Sequence, residues 1–437
     1  MRLRAALALV AATPATTHSS AYDTLTTTCQ HATAISGELS VSSVAACKEK
    51  CDATTGCKGV DTNGSACYLK SHCEGTVGAC KVWCGHRSSE PAPPPPAPLI
   101  PLREAAKRHG IHVGAAGNQG HIRQDATYAK VLAQQYSLVT AENACKWDSI
   151  HPGRHRFDFA PCDVVADFAN AHSMAFRGHN LCWGNQNPGW LTGGSFPREE
   201  LRAILKNHTQ TVASYYGAKA IAWDVVNEAI SNIPGGGLKP TIWYPTLPDY
   251  IDVAFNSTRS AYGGLLFYND YNIASSRSGA EELHPRTGEV LTMGSRKKAD
   301  ALYSLVKGML SRGVPIDGVG FQLHVQHTYS SFDGVAENMA RLAALGLQVH
   351  ITELDVKCPS DGNCDLDQQA HVYRELLRVC LAQPACTNFE SWGFTDKYTW
   401  VGASNRPLPF DGNFQPKAAV REMLAEFANG TQTQTRG

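Results

Sequence analysis

The sequence predicts an α/β protein, a (β/α)8 TIM barrel preceded by a small disulfide-rich domain. Three observations carry that prediction. From Leu102 to about Ala428, short apolar strands alternate with amphipathic helical stretches. Acidic and polar strings fall at the C-terminal ends of those strands, where a parallel barrel collects its reactive groups. Ahead of them, Tyr22 to Arg87 carries eight of the 15 cysteines and runs into a proline-rich stretch.

Taken in order, residues 1–21 read as a secretory signal peptide. Arg2 and Arg4 precede an apolar run from Ala5 to Ala12, and Ser19-Ser20-Ala21 offers a cleavage site. The run is too short for a bilayer, which needs about 20 apolar residues, so no membrane attachment is expected. A secreted, extracellular or cell-wall location follows, and 15 cysteines suit that oxidising setting. Sequons at Asn63, Asn207, Asn256 and Asn429 are compatible with it. Lys plus Arg and Asp plus Glu balance at 39 each. The balance argues against nucleic acid as a partner and suits a neutral substrate.

Residues 22–87 form the cysteine-rich module, since so short a segment cannot bury enough core without cross-links. Its stretch CKEKCDATTGCKGVDTNGSACYL resembles PAN/Apple modules, and that resemblance implies a carbohydrate or protein ligand. Residues 88–101, containing SSEPAPPPPAP, read as an extended spacer. The barrel occupies residues 102–428 and a short tail 429–437. Strands are predicted at His112–Gly117, Leu138–Asn143, Met174–Leu181, Ala220–Glu228, Leu265–Tyr271, Gly318–Val325, Gln348–Val356 and Thr387–Phe394. Helices at Glu199–Tyr215, Lys297–Arg312 and Gln368–Leu381 lie between them. No glycine-rich phosphate loop follows the first strand, which argues against a doubly wound sheet.

The chemistry centres on IAWDVVNEAI, Ile221 to Ile230. Alternation places Asp224, Val226 and Glu228 on one face, with Asn227 beside the last. HITELDV, His350 to Val356, likewise puts Glu353 and Asp355 together. Carboxylates on apolar strands are costly to bury unless they are paired or chemically engaged. Two strands each ending in an acid provide what glycoside hydrolysis needs: one acid to protonate the leaving oxygen, and one carboxylate to attack or to activate water.

WDVVNEAI and ITELD resemble the acid/base and nucleophile motifs of glycoside hydrolase family 10, the endo-β-1,4-xylanases. Further strings extend the resemblance. Glu142 to Trp147 resembles ENxMKW, with Cys145 in place of Met; it implies sugar-binding roles for Asn143, Lys146 and Trp147. Arg177 to Gln186 resembles RGHxLxWHxQ, with Gly184 in place of the second His; it implies substrate roles for His179, Trp183 and Gln186. LFYNDYN, Leu266 to Asn272, matches the family, and Asn269 and Asp270 are expected to be mainly scaffold. GVGFQLHVQ places Gly320, Gln322 and His324 on one face. Ser391 to Lys397, Trp400 and Phe410-Asp411 resemble WGxxDxxSW and LFD, implying sugar platforms at Trp392 and Trp400.

The resemblance implies a retaining endo-β-1,4-xylanase, working as a monomer on xylan and xylo-oligosaccharides. Glu228 is the expected acid/base and Glu353 the nucleophile. His324, Asp355, Gln322 and Asp224 are expected to support the nucleophile, and Asn227 to join the substrate-binding set. No cofactor or metal is expected, since zinc-type His spacing is lacking. Alternative readings are a β-1,4-glycanase or transglycosylase of broader specificity, and a non-catalytic carbohydrate-binding wall protein. Among the barrel cysteines, Cys358 with Cys364 and Cys380 with Cys386 are close enough in sequence to pair, and Cys145 with Cys182 is favoured because both end neighbouring strands.

Overall fold

The computed structural model describes residues 22–29, 39–40, 44–52, 57, 59–62, 66–70, 76–87, 99–232, 237–274, 282–283, 290–291, 295–359 and 364–430. The expected leader, the proline-rich stretch 88–98 and the tail from 431 lie outside these residues. The chain divides into two compact units, Met1–Pro98 and Leu99–Gly437.

In the first unit, strands β1 (Tyr22–Cys29), β2 (Leu39–Ser40), β3 (Gly59–Thr62), β4 (Ala66–Lys70) and β5 (Thr76–Arg87) form an antiparallel sheet in the order β1-β5-β3-β4-β2. A helix, Val44–Asp52, carries Cys47 and Cys51, which pair with Cys67 and Cys57. These four half-cystines join Val60 and Leu69 in a small buried core. Cross-links stand in for the apolar area that such a short segment lacks.

The second unit contains β6 (His112–Gly117), β7 (Leu138–Ala141), β8 (Ala175–Trp183), β9 (Ala220–Asn227), β10 (Leu265–Asp270), β11 (Glu282–Leu283), β12 (Val290–Leu291), β13 (Gly318–Phe321), β14 (His324–Gln326), β15 (Gln348–Lys357) and β16 (Asn388–Ser391). Eight of them, in the order β6-β7-β8-β9-β10-β13-β15-β16, pair in parallel, and β16 closes on β6. This is the closed barrel expected from the alternating pattern. Its strands are buried along nearly their whole length, because helices cover the outside and side chains fill the inside.

The helix Arg198–Tyr216 shows how the outer layer is specified. Leu201, Leu205, Val212, Ala213 and Tyr216 recur at helical spacing and are buried. Glu199 and Glu200 sit in the first turn, where the helix dipole favours negative charge. Gly217, at φ +44°, ends the helix in a backbone region where a Cβ is unfavourable. No helix among the described residues is long and apolar enough to cross a membrane.

The sixth barrel strand departs from its predicted span, Gly318–Val325. It breaks after Phe321, Leu323 takes φ +58°, and the chain resumes as β14 beside β15. The cysteines also differ in part. Cys358–Cys364 and Cys380–Cys386 are bonded as expected, but Cys145 pairs with Cys162, not with Cys182. The helix Ala160–Ala171 carries Cys162 to a Cα–Cα distance of 4.9 Å from Cys145, inside disulfide reach. Cys182 remains a free thiol buried in the barrel core.

Candidate active site

Four neighbouring strands, β9, β10, β13 and β15, build the centre of the barrel mouth. In register, Asn269 on β10 lies opposite both Asn227 and Gly320. A Cβ at Gly320 would collide with the Asn269 amide, so glycine makes room for it. Thr352 Oγ1 donates to Asn269 Oδ1 at 2.7 Å, which turns the Asn269 Nδ2 towards two acceptors: Asn227 Oδ1 at 3.0 Å and Glu353 Oε1 at 2.6 Å.

The second Glu353 oxygen accepts from His324 Nε2 at 3.2 Å. His324 Nδ1 donates to Asp355 Oδ2 at 2.9 Å, and Trp400 Nε1 donates to the same oxygen at 2.7 Å. Burial disfavours the charged imidazole, but Asp355 and Glu353 outweigh it and push the His324 pKa up to about 10. Near neutral pH it is therefore an imidazolium, with both nitrogens donating, held between two carboxylates.

Glu228 leaves the end of β9 with φ +54°, a region a non-glycine residue enters only at a cost. The strict alternation from Asp224 is interrupted just before it. Phe267 pairs with Asp224 and Tyr268 with Val226, so Val225 is an extra residue on β9. The Glu228 carboxylate accepts from Trp183 Nε1 at 3.1 Å, Gln322 Nε2 at 3.2 Å and Asn227 Nδ2 at 3.3 Å. Asn227 thus touches Glu228 directly and Glu353 through Asn269.

Both acids line a cleft of about 290 Å³ with Glu142, Asn143, Lys146, His179, Trp183, Gln186, Asn227, His324, Trp392 and Trp400. Lys146 Nζ donates to Asn143 Oδ1 at 2.9 Å and Gln186 Oε1 at 2.8 Å, and sits 5.1 Å from the centroid of the Trp183 ring. Burial lowers the Lys146 pKa, against the pull of Glu353, Glu142 and Glu228.

Several expected placements are corrected. Trp147, expected at the sugar, is 1% exposed and stacks on His208 at a centroid distance of 3.5 Å. The helix Arg198–Tyr216 supplies that partner from outside the barrel. Gln322, expected beside Glu353, donates instead to Glu228 and to Asn227 Oδ1 at 3.2 Å. Asp224, also expected there, is buried with Arg177 and accepts from His179 Nδ1 at 3.0 Å. Burial works against the Asp224 carboxylate, but Arg177 and His179 together outweigh it and lower its pKa. Asn269, taken as scaffold, contacts Glu353 directly. Asp270 is the scaffold residue, accepting from Lys298 Nζ and Tyr268 Oη, each at 2.7 Å. The strand order provides a signal for Asn269, because its strand lies between β9, which ends at Asn227, and β13, after which Gln322 follows.

A parallel barrel with two carboxylates at the C-terminal ends of its strands, facing a cleft walled by tryptophans, defines a glycoside hydrolase. The comparisons agree. The model of Glycosyl hydrolase family 10 matches residues 101–285 and 290–426. Endo-1,4-beta-xylanase B of Thermotoga neapolitana is 39% identical over 340 residues, 75% of this chain and 92% of that protein. Endo-1,4-beta-xylanase B of Paenibacillus barcinonensis is 34% identical over 350 residues, 75% of this chain and 98% of that protein. The crystal structure of xylanase 10B from Thermotoga petrophila in complex with xylobiose superposes with a TM-score of 0.68 at 34% identity, covering 76% of this chain and 98% of that one. The chain belongs to glycosyl hydrolase family 10.

Proposed function

We propose that the protein is a secreted, retaining endo-β-1,4-xylanase that hydrolyses internal bonds of xylan. The observation that carries this reading is the different setting of the two acids. Glu353 is fixed by an amide and an imidazolium, one on each oxygen. Those contacts fix both carboxyl oxygens and hold the group in the cleft as a nucleophile. Glu228 accepts hydrogen bonds from the neutral donors of Trp183, Asn227 and Gln322, which position its carboxyl in the cleft. In the first step Glu353 attacks the anomeric carbon while Glu228 gives its proton to the departing oxygen. In the second, Glu228 takes a proton from water, whose oxygen displaces Glu353. Trp183, Trp392 and Trp400 offer apolar ring faces, and Lys146 with Asn143 and Gln186 offers a polar wall; together they suit a neutral, hydroxyl-rich sugar. Likeness to relatives named as xylanases, and to a neighbour solved with xylobiose, favours xylose units over glucose.

Reducing-end release from xylan, cellulose and mixed glucan, measured side by side, tests the substrate. Xylan is expected to be strongly preferred, and equal rates would replace the reading with a broader glycanase. Glu228→Ala is expected to abolish xylan cleavage yet keep the first step on aryl glycosides with good leaving groups, with turnover restored by azide. Glu353→Ala should be inactive on both. Proton NMR of the first product should show retained β configuration, and an α product would mean direct attack by water.

A further inference from the structure

We infer that Lys239 is a positioning residue for the acid/base Glu228, delivered by a loop whose docking depends on the glycine at position 184. The inference rests on the assignment of Glu228 given above. Lys239 Nζ lies 3.8 Å from Glu228 Oε2 and 3.3 Å from Tyr271 Oη, to which it donates. Its own backbone is fixed, because Lys239 N donates to Ala229 O at 2.8 Å, one residue past the acid. The loop then runs along β8's end. Trp243 Nε1 donates to Trp183 O at 2.8 Å, and Thr241 packs over Gly184. A Cβ at Gly184 would stand 2.5 Å from Thr241 Cγ2 and 3.3 Å from Thr241 Cβ, so a side chain there requires Thr241 to shift. The histidine that resembling sequences place at this position cannot sit here without moving the Thr241 side chain. Gly184 therefore leaves room for Thr241, which follows Lys239 by two residues in the same loop.

The other charged groups around Glu228 are engaged elsewhere. Lys146 is bonded to Asn143 and Gln186, Lys298 to Asp270, and His324 to Glu353 and Asp355. Glu353 lines the same cleft as Glu228, and Tyr271 accepts from Lys239. Lys239 is the cation in ion-pair contact with the Glu228 carboxylate among the described residues. Burial works against its charge, but Glu228 and Asp270 outweigh that and raise its pKa, so the cation persists through the working range. An opposite charge at about 4–6 Å favours the ionised form of a carboxyl by roughly one to three pH units. Lys239 thus holds a positive charge beside Glu228 Oε2.

The test is kcat/KM against pH on an aryl β-xylobioside with a poor leaving group, which needs the acid, and on one with a good leaving group, which does not. In Lys239→Met the alkaline limb on the poor substrate should move up by about one pH unit. The good substrate should keep its profile, and Lys239→Arg should restore the wild-type limb. Gly184→Ala should move the limb in the same direction, and adding Thr241→Ser, which deletes the colliding methyl, should return it. A Lys239→Met enzyme that is slower at every pH with an unmoved limb overturns the coupling while leaving the acid assignment standing. Full activity of Glu228→Ala on the poor substrate overturns the assignment and the coupling together.

Discussion

At the residue scale, His324 joins stability to catalysis. It is buried, charged, and bonded to Glu353 and Asp355. Its pKa is raised to about 10 in the fold against about 6.5 unfolded. A raised value in the folded state means the stabilisation is fully present below pH ~6.5 and is lost as pH climbs through ~10. His324→Gln should therefore be less stable than wild type by a few kcal/mol at pH 6, with the gap closing towards pH 10. Urea midpoints at several pH values measure it, and a pH-independent gap would show that packing, not charge, explains the loss. The resemblance of GVGFQLHVQ to the family implies that His324 lies near Glu353, and the structure places it there. The same resemblance misplaces Gln322, because Leu323 at φ +58° breaks the alternation between it and His324 and sends the two side chains to different acids. Trp147 is hidden for a different reason. Its motif says nothing about which way the indole turns, and His208, some sixty residues on, decides that.

At the element scale, strand positions are legible because apolar, β-branched runs bounded by polar turns report burial directly. Loop cross-links are not, since a cysteine's partner depends on how a helix packs. The Cys145–Cys162 bond ties the loop bearing Asn143 and Lys146 to the helix Ala160–Ala171. It holds the polar wall of the cleft in place. Replacing it by Cys145→Met with Cys162→Ala should lower stability by about 3 kcal/mol, as for a closed loop of about 15 residues. It should also raise KM several-fold while changing kcat less, because Lys146 would spend less time bonded to Asn143 and Gln186. Calorimetry and steady-state kinetics read both effects. An unchanged melting temperature and KM would show that the loop is fixed by packing alone.

At the scale of the whole molecule, the two units are built on different physics. The barrel is large enough to stabilise itself by apolar burial. The solved relative with xylobiose is covered over 98% of its length by 76% of this chain, so a comparable barrel stands without any such N-terminal unit. The cysteine-rich unit has instead a small core of half-cystines with Val60 and Leu69. We propose that this unit, joined through the proline-rich stretch, holds the enzyme on insoluble wall material and acts by raising local concentration, with no part in bond cleavage. Deleting residues 22–98 should then leave kcat/KM on soluble xylo-oligosaccharides within about twofold. Hydrolysis of insoluble xylan at low enzyme concentration should fall by roughly tenfold or more, because avidity gains are commonly at least that large. The gap between the two substrates should shrink as enzyme is added, since tethering matters least when the surface is already saturated. An equal loss on both substrates, at every enzyme concentration, would mean that the barrel needs the cysteine-rich unit for its own stability.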